Sequence, residues 1–355
     1  MIGILGGNGA VGQQVVRLLH KWNIGEMRIG VRSKDVRTHE LKEPSVYYKF
    51  VDIEDAQSLS SFVDGCEMLI NCAGPSKYTS VPALKAALHG KIHYIDAGGG
   101  QCISMLADCT SRQYSLIFSS GALPGISGLL PRWLAQRFIR PVSLKFYCGI
   151  LDRFTLSGAE DFLDGIYCRE GNASSLSKFR GKPEIVLPFF PRPVTLAAYH
   201  DGETSGVQNS LGLENAEFYI ARDGKYVNRA LLQMSSSSRI ESVRTLCEAA
   251  NLDLSGLTPY ILYLLQMDGI RHDNQLKSYT LMLKGAGVSA MTGSMVASVT
   301  MSLLRRDIEN RIGLAAEVCN PDPIIDGLND PHTGNYLQVL DCTIDDLLQT
   351  AGGVL

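Results

Sequence analysis

The chain opens Met1-Ile2-Gly3-Ile4-Leu5-Gly6-Gly7-Asn8-Gly9-Ala10-Val11-Gly12 and runs on into an amphipathic stretch carrying Val15, Val16, Leu18 and Leu19. A second short apolar run, Met27 to Val31, stops at Arg32-Ser33. In order this reads as strand, glycine turn, helix, strand, the opening βαβ unit of a dinucleotide-binding fold. A pyrophosphate needs donors and room. At a strand-to-helix turn, unpaired backbone N–H groups face outward and the helix dipole favours negative charge. Gly7, Gly9 and Gly12 have the G-x-G-x-x-G spacing: a tight turn, an open approach and close helix–strand packing. Gly7, Asn8, Gly9, Ala10, Val11 and Gly12 are therefore the expected pyrophosphate contacts.

The end of the second strand selects the cofactor. NAD sites place an acid there, on the ribose 2′-hydroxyl. This chain has Arg32 and Ser33 instead. A guanidinium and a hydroxyl suit a 2′-phosphate, which an acid would repel, so NADP(H) is expected.

At 355 residues the chain has room for two domains. Hydrophobic residues make up 45% and charged residues 19%, as in a globular enzyme. A net charge of -3 points to neither nucleic acid nor an anionic membrane. The first residues already read as a strand, so no signal peptide is expected, and no apolar run has membrane-span length. The nine cysteines show no metal spacing and read as reduced cytoplasmic thiols; no metal is expected.

Further along, Val46 to Ile53 reads as a third strand whose end, Asp52-Ile53, lies beside the adenine. Met68 to Asn71 reads as a buried fourth strand, followed by a Gly-Pro turn. A parallel sheet presents its ligand at the carboxyl ends of its strands, which sets Cys72, Ala73, Gly74 and Pro75 along the nicotinamide ribose. A helix at Pro82 to His89, a fifth strand at Ile92 to Asp96, another helix and a sixth strand at Ser115 to Ser119 complete the domain. After Phe138 the pattern changes. Val142–Leu151, Val194–His200, Ala216–Ala221 and Tyr279–Lys284 read as strands of a largely antiparallel or mixed sheet. Ile240 to Ala250 reads as a helix with a serine cap, Thr258 to Gly269 as another helix, and residues 171–184 as a mobile loop. Val288 to Arg305 is a long helix rich in small residues, suited to a close helix–helix or helix–sheet contact. The expected architecture is α/β: an N-terminal Rossmann dinucleotide-binding domain over 1–121 and about 286–355, with a second α+β substrate and dimerisation domain over about 122–285.

Gly7-Asn8-Gly9-Ala10-Val11-Gly12, Val31-Arg32-Ser33, Asn71-Cys72-Ala73-Gly74-Pro75 and His93-Tyr94-Ile95-Asp96 together resemble the NADP-binding domain of saccharopine dehydrogenase-like reductases. The order and spacing match over about the first 130 residues. Thr292-Gly293, on the long helix, resembles that family's returning segment. The resemblance implies reduction of a carbon–nitrogen double bond by NADPH, or its reverse. Saccharopine-forming members carry an acid just before the Pro-Gly of the loop after the sixth strand. This chain has Leu123 there, and it is short for a saccharopine enzyme. Both points favour a less charged imine. Some thiazolinyl imine reductases of siderophore assembly are similar to this family and act on a ring held on a carrier protein. Phe189, Phe190 and Tyr199 suit an aromatic, apolar substrate. The expected partner is thus a small-molecule imine, free or carrier-tethered, taken by a cytoplasmic homodimer.

When hydride attacks carbon, nitrogen needs a proton. Tyr78 follows the Gly-Pro turn and has a donor hydroxyl, with Lys77 beside it. Asp96 ends the fifth strand and is placed to hold an iminium or orient ribose. His93 falls on the opposite strand face and reads as structural. His200, with Tyr199 and Asp201 as neighbours, is the candidate to reach the site from the second domain. Each has an ordinary reading too: a solvated loop for Lys77 and Tyr78, a cap or turn for Asp96, a surface histidine for His200. Beside the imine reductase stand an amino-acid or opine-type enzyme and a non-catalytic NADPH-binding regulator, which fold alone does not separate. The Tyr-x-x-x-Lys pattern of short-chain alcohol chemistry is missing after the fourth strand.

Overall fold

The computed structural model describes residues 1–32, 45–106, 113–168, 184–233, 238–307 and 311–352. The chain forms two units, Met1–Leu129 with Ser289–Gly334, and Leu130–Val288 with Asn335–Leu355. In chain order, the first unit begins β1 (Ile2–Leu5), α1 (Ala10–Lys21), β2 (Met27–Val31), β3 (Val46–Phe50), α2 (Ala56–Val63), β4 (Met68–Asn71), α3 (Ser76–Gly90), β5 (His93–Asp96) and β6 (Leu116–Phe118), after which α4 (Ile126–Ala135) starts. The second unit has β7 (Arg140–Leu151), α5 (Leu156–Cys168), β8 (Thr195–Ala198), α6 (Gly202–Leu211), β9 (Asn215–Arg222), α7 (Lys225–Gln233), α8 (Arg239–Leu254), β10 (Tyr260–Ile270) and β11 (Leu276–Gly285). The long helix α9 (Val288–Leu304) leads to β12 (Ile312–Leu314), α10 (Ala315–Val318) and α11 (Pro321–Leu328) of the first unit. The second unit then closes with β13 (Tyr336–Leu340) and α12 (Ile344–Gly352).

The first unit is a parallel sheet of seven strands in the order β12-β6-β5-β4-β1-β2-β3. Its central strands are apolar runs buried along their whole length, which is how strands covered on both faces read. Leu5 shares one core cluster with Leu59 and Phe62 of α2 and with Ala83, Leu84 and Ala87 of α3. Burying each such leucine or phenylalanine is worth about 1.5–3 kcal/mol. Val15, Val16, Leu18 and Leu19 form the buried stripe of α1. The strand order reverses direction about β1 and β4, the position at which doubly wound sheets bind ligands. The segment expected as a helix between β5 and β6 is, over its described part, a 3-10 turn at Gly100–Leu106.

The second sheet has six strands in the order β13-β11-β10-β7-β9-β8, antiparallel except for the β7–β9 pair. Two expectations are corrected here. Thr258 to Gly269, expected as a helix, is mostly β10, a central strand paired with β7 and β11. Tyr260 to Met267 are all buried, so the run has no periodicity by which helix and strand could be told apart. Residues from 335 onward, expected in the first domain, belong to the second unit, because β13 adds to the edge of its sheet beside β11. The loop expected at 171–184 lies almost wholly outside the described residues. Among the described residues, no helix is long and apolar enough to cross a membrane.

Candidate functional site

The turn after β1 shows what each glycine is for. Gly6 has φ +69°, a left-handed conformation that glycine adopts without steric cost. Its carbonyl accepts the Gly9 N–H at 2.9 Å and closes the turn. A Cβ on Gly6 would lie 2.7 Å from Ala73 N, so the turn packs directly on the loop after β4. A Cβ on Gly7 would come 2.6 Å from Ile29 Cγ2. On Gly12 it would overlap Gly6 O and stand 2.5 Å from Gly7 Cα, the close packing expected of the third glycine. The left-handed turn residue is thus Gly6 rather than Gly7, and only the Gly6-Gly7 doublet hinted at it. Gly9 differs from all of these. Its φ of −78° suits any residue, and the nearest neighbour of a Cβ would be Gly6 O at 3.2 Å. A side chain there needs only a small shift of the Gly6 carbonyl, so of these glycines Gly9 is the least crowded, and it keeps the surface open.

That open surface lies at the start of α1. Gly9 provides no side-chain cap and the first turn has no acid. The α3 start, on the adjacent strand, likewise has no side-chain cap from Pro75. In contrast, Asp55 caps α2 through the Gln57 N–H. Two helix N-termini with their dipoles uncancelled by a side chain therefore stand side by side at the carboxyl edge of the sheet. Gln13 Nε2 holds the Asn8 carbonyl at 2.9 Å. Together with Gly9, Ala10 and Val11 this is a cradle that a pyrophosphate fits.

Arg32 is exposed at the end of β2, beside β1. Ser33 lies outside the described residues. Asp52 is exposed at the end of β3, where Oδ1 accepts the Glu54 N–H at 3.0 Å and its own N–H donates to Ser58 Oγ at 2.9 Å. Ile53 is half-buried against the core.

On the other side of β1, Cys72 N–H donates to Leu5 O at 3.0 Å, carrying Cys72, Ala73, Gly74 and Pro75 over the end of β1. Burial pushes the Cys72 thiol well up, with the nearby Asp96 charge adding to it. Asp96 itself is 1% exposed. It accepts from Tyr94 Oη at 2.5 Å, Asn71 Nδ2 at 3.1 Å and Gly98 N at 2.9 Å. Burial raises its carboxyl, while these hydrogen bonds pull the other way. Asn71 Oδ1 accepts the Ala73 N–H at 3.2 Å. Asn71 and Asp96 face each other in the β4–β5 register, and Tyr94 shares a strand face with Asp96. That pairing could have been found by aligning the two strand ends.

Tyr78 and Lys77 fall in the first turn of α3, which begins six residues earlier than expected. Both are exposed, and Lys77 Nζ stands 4.6 Å from the Tyr78 ring centroid. Past β6, Ala122 N–H donates to Thr292 Oγ1 at 3.2 Å, and Leu123 in the same loop is half-buried. Thr292 was legible only through the family resemblance. His93 Nδ1 accepts the Ser115 N–H at 3.0 Å, a structural role as expected. In the second unit, His200 is exposed after β8, with Nε2 3.1 Å from Ser205 Oγ. Its acidic neighbour Asp201 caps α6 through Thr204 N and accepts from Tyr199 Oη at 2.7 Å.

Residues 2–115 match the family described as the saccharopine dehydrogenase NADP binding domain. No curated protein sequence matches the chain. Among solved structures, an apo, histidine-tagged saccharopine dehydrogenase (L-Glu forming) from Saccharomyces cerevisiae aligns over 96% of this chain and 99% of its own, at 15% identity and a TM-score of 0.66. A uronate dehydrogenase from Agrobacterium tumefaciens aligns over 27% of this chain and 40% of its own, at 16% identity and a TM-score of 0.24. Residues 2–115 are thus similar to a saccharopine dehydrogenase NADP-binding domain, the cofactor is NADP(H), and the fold of the chain is similar to that of the yeast enzyme.

Proposed function

We propose that the protein is an NADPH-dependent oxidoreductase that reduces the C=N bond of a small imine. The observation that supports this most is Tyr78, a phenol 60% exposed in the first turn of α3, the helix that follows β4, the strand next to β1 and its glycine turn. When bound, NADPH supplies hydride to the substrate carbon. The backbone N–H groups of Ala10, Val11 and Gly12, in the first turn of α1, would hold the pyrophosphate, with Gly9 leaving the approach open, and Arg32 would pair with the 2′-phosphate. Tyr78 delivers a proton to the substrate nitrogen, and the Lys77 cation over its ring eases the charge left on the phenol oxygen. Leu123 offers no negative charge to a substrate ammonium, which favours a weakly charged imine over an amino-acid conjugate. A thiazoline ring of siderophore assembly, free or on a carrier protein, is such a substrate.

The test is NADPH oxidation with a panel of cyclic and acyclic imines, set against 2-oxo acids paired with amino acids. With an accepted imine, Tyr78→Phe should lower kcat by ~10²–10⁴-fold, the usual worth of general acid assistance, and leave NADPH affinity unchanged. A substrate that arrives already protonated gives a different result: Tyr78→Phe is silent, and the rate falls as pH rises through the substrate's own pKa. A full-rate Tyr78→Phe with a crippled His200→Asn would assign the proton to the second unit. Tight NADPH binding with no oxidation by any imine or oxo acid would make the protein a regulator.

A further inference from the structure

We infer that Asp96 is a positioning residue for the nicotinamide half of the cofactor site and not a proton donor. The inference rests on the NADPH-binding reading above. Three donors, Tyr94 Oη, Asn71 Nδ2 and Gly98 N, converge on its two oxygens, and the side chain is almost wholly buried. An acceptor-only carboxylate matches that environment, and a substrate has no path to it. The packing around it is tight. Gly99 has φ +69°, and a Cβ there would stand 2.6 Å from Asp96 Oδ2 and 3.0 Å from Ser80 Oγ.

Asp96 ties together the loops at three strand ends, its carboxylate reaching two of them and its backbone the third. Through Asn71 it fixes Ala73 after β4. Through Gly98 it fixes the glycine loop after β5, where Ala97 N–H also donates to Asn71 O at 3.1 Å. Its backbone carbonyl takes the Ser120 N–H at 3.0 Å, and Gly98 O takes the Ser119 N–H at 2.6 Å, which ties in the loop after β6. Through Tyr94, whose hydroxyl also lies 3.3 Å from Ser80 O, it reaches the second turn of α3. All of these lie on the β4–β6 side of β1, whereas Arg32 and Asp52 lie on the β2–β3 side. One buried residue therefore orders the nicotinamide half of the edge and leaves the adenosine half alone. A group whose partners are removed inside a low-dielectric site loses more than its hydrogen bonds, because the remaining donors face nothing or each other.

The experiment splits the cofactor. Binding of NADPH and of adenosine 2′,5′-bisphosphate, which has only the adenosine half, is titrated on the full chain before and after Asp96→Asn, alongside thermal melts. The substitution keeps the shape but turns an amide N–H toward the donors. NADPH affinity should fall about ten-fold or more, while the bisphosphate affinity changes less than about two-fold. Unchanged NADPH affinity in a folded Asp96→Asn protein overturns the inference, and so does an equal loss of both ligands. If Asp96→Asn does not fold, Tyr94→Phe, which removes one donor, is judged by the same two titrations. Should the unmodified protein bind neither ligand, or Arg32→Ala leave both untouched, the cofactor reading itself fails, a result distinct from either outcome for Asp96.

Discussion

Gly9 and Gly12 belong to one motif and are glycine for opposite reasons. Gly12 leaves no room for a side chain inside the protein, whereas Gly9 leaves room outside it. Gly9→Val should therefore fold and fail to bind NADPH, since the branched side chain occupies the pyrophosphate position. Circular dichroism and an NADPH titration on one sample check this, and undiminished binding would move the cofactor elsewhere. Gly12→Ala should instead cost stability, about 1–3 kcal/mol, as α1 is pushed off the Gly6-Gly7 backbone. Arg32 works through charge. Arg32→Ala should narrow the preference for NADPH over NADH by ~1.5–3 kcal/mol, the scale of a hydrogen bond to a charged group. Equal affinity of the unmodified protein for both cofactors would remove Arg32 from the site.

At the scale of elements, α9 explains why a helix of the first unit is built of small residues. A Cβ on Gly293 would stand 2.5 Å from Gln14 Cβ and 2.9 Å from Val11 O, so α9 crosses α1 at that point. Gln14 Nε2 reaches Ser294 Oγ at 3.4 Å. One face further along, a Cβ on Gly327 of α11 would stand 2.8 Å from Ser298 Cβ. The contact presses on the helix whose first turn is the pyrophosphate cradle. Gly293→Val should thus lower stability by about 1–3 kcal/mol through overpacking and weaken NADPH binding in the same variant. A melting temperature and an affinity both unchanged would show that α1 does not depend on this crossing.

At the scale of the whole molecule, each unit has hydrophobic clusters of its own among the described residues, so a perturbation can be aimed at one of them. Asp268 in the second sheet accepts from Ser143 Oγ at 2.5 Å, Ser278 Oγ at 2.7 Å and Gln266 Nε2 at 2.9 Å. Burial alone would raise its carboxyl, but these hydrogen bonds and the Lys145 charge outweigh burial and hold it below the usual value. A carboxyl lowered on folding adds stability that is complete above the unfolded pKa, near ~3.9, and lost as pH falls through the folded value. Asp268→Asn should accordingly cost ~1–3 kcal/mol at neutral pH, and the gap to the unmodified protein should close as pH drops below ~4. A gap independent of pH in denaturant titrations would assign the loss to packing. Gln266 Oε1 also accepts the Ile344 N–H at 2.9 Å, and Thr280 Oγ1 donates to Cys342 O at 2.8 Å, which fastens the end of the chain onto this sheet.

The nucleotide-binding half was legible because its signals are local. A glycine turn between an apolar strand and an amphipathic helix, an arginine where NAD sites keep an acid, and a Gly-Pro turn after a buried strand each span only a few residues. They therefore survive being read one stretch at a time. Tertiary structure decided what depends on partners far along the chain. Tyr260 to Met267 is apolar at almost every position, and it is a strand because β7 and β11 supply its hydrogen bonds on both sides. The segment from Tyr336 joins the second sheet because the edge of β11 is there to receive it. Asp96 looked like a strand-end acid facing a ligand. It became a buried hub once strand pairing set Asn71 opposite it and Tyr94 on its own face, since burial is a property of neighbours and not of the residue.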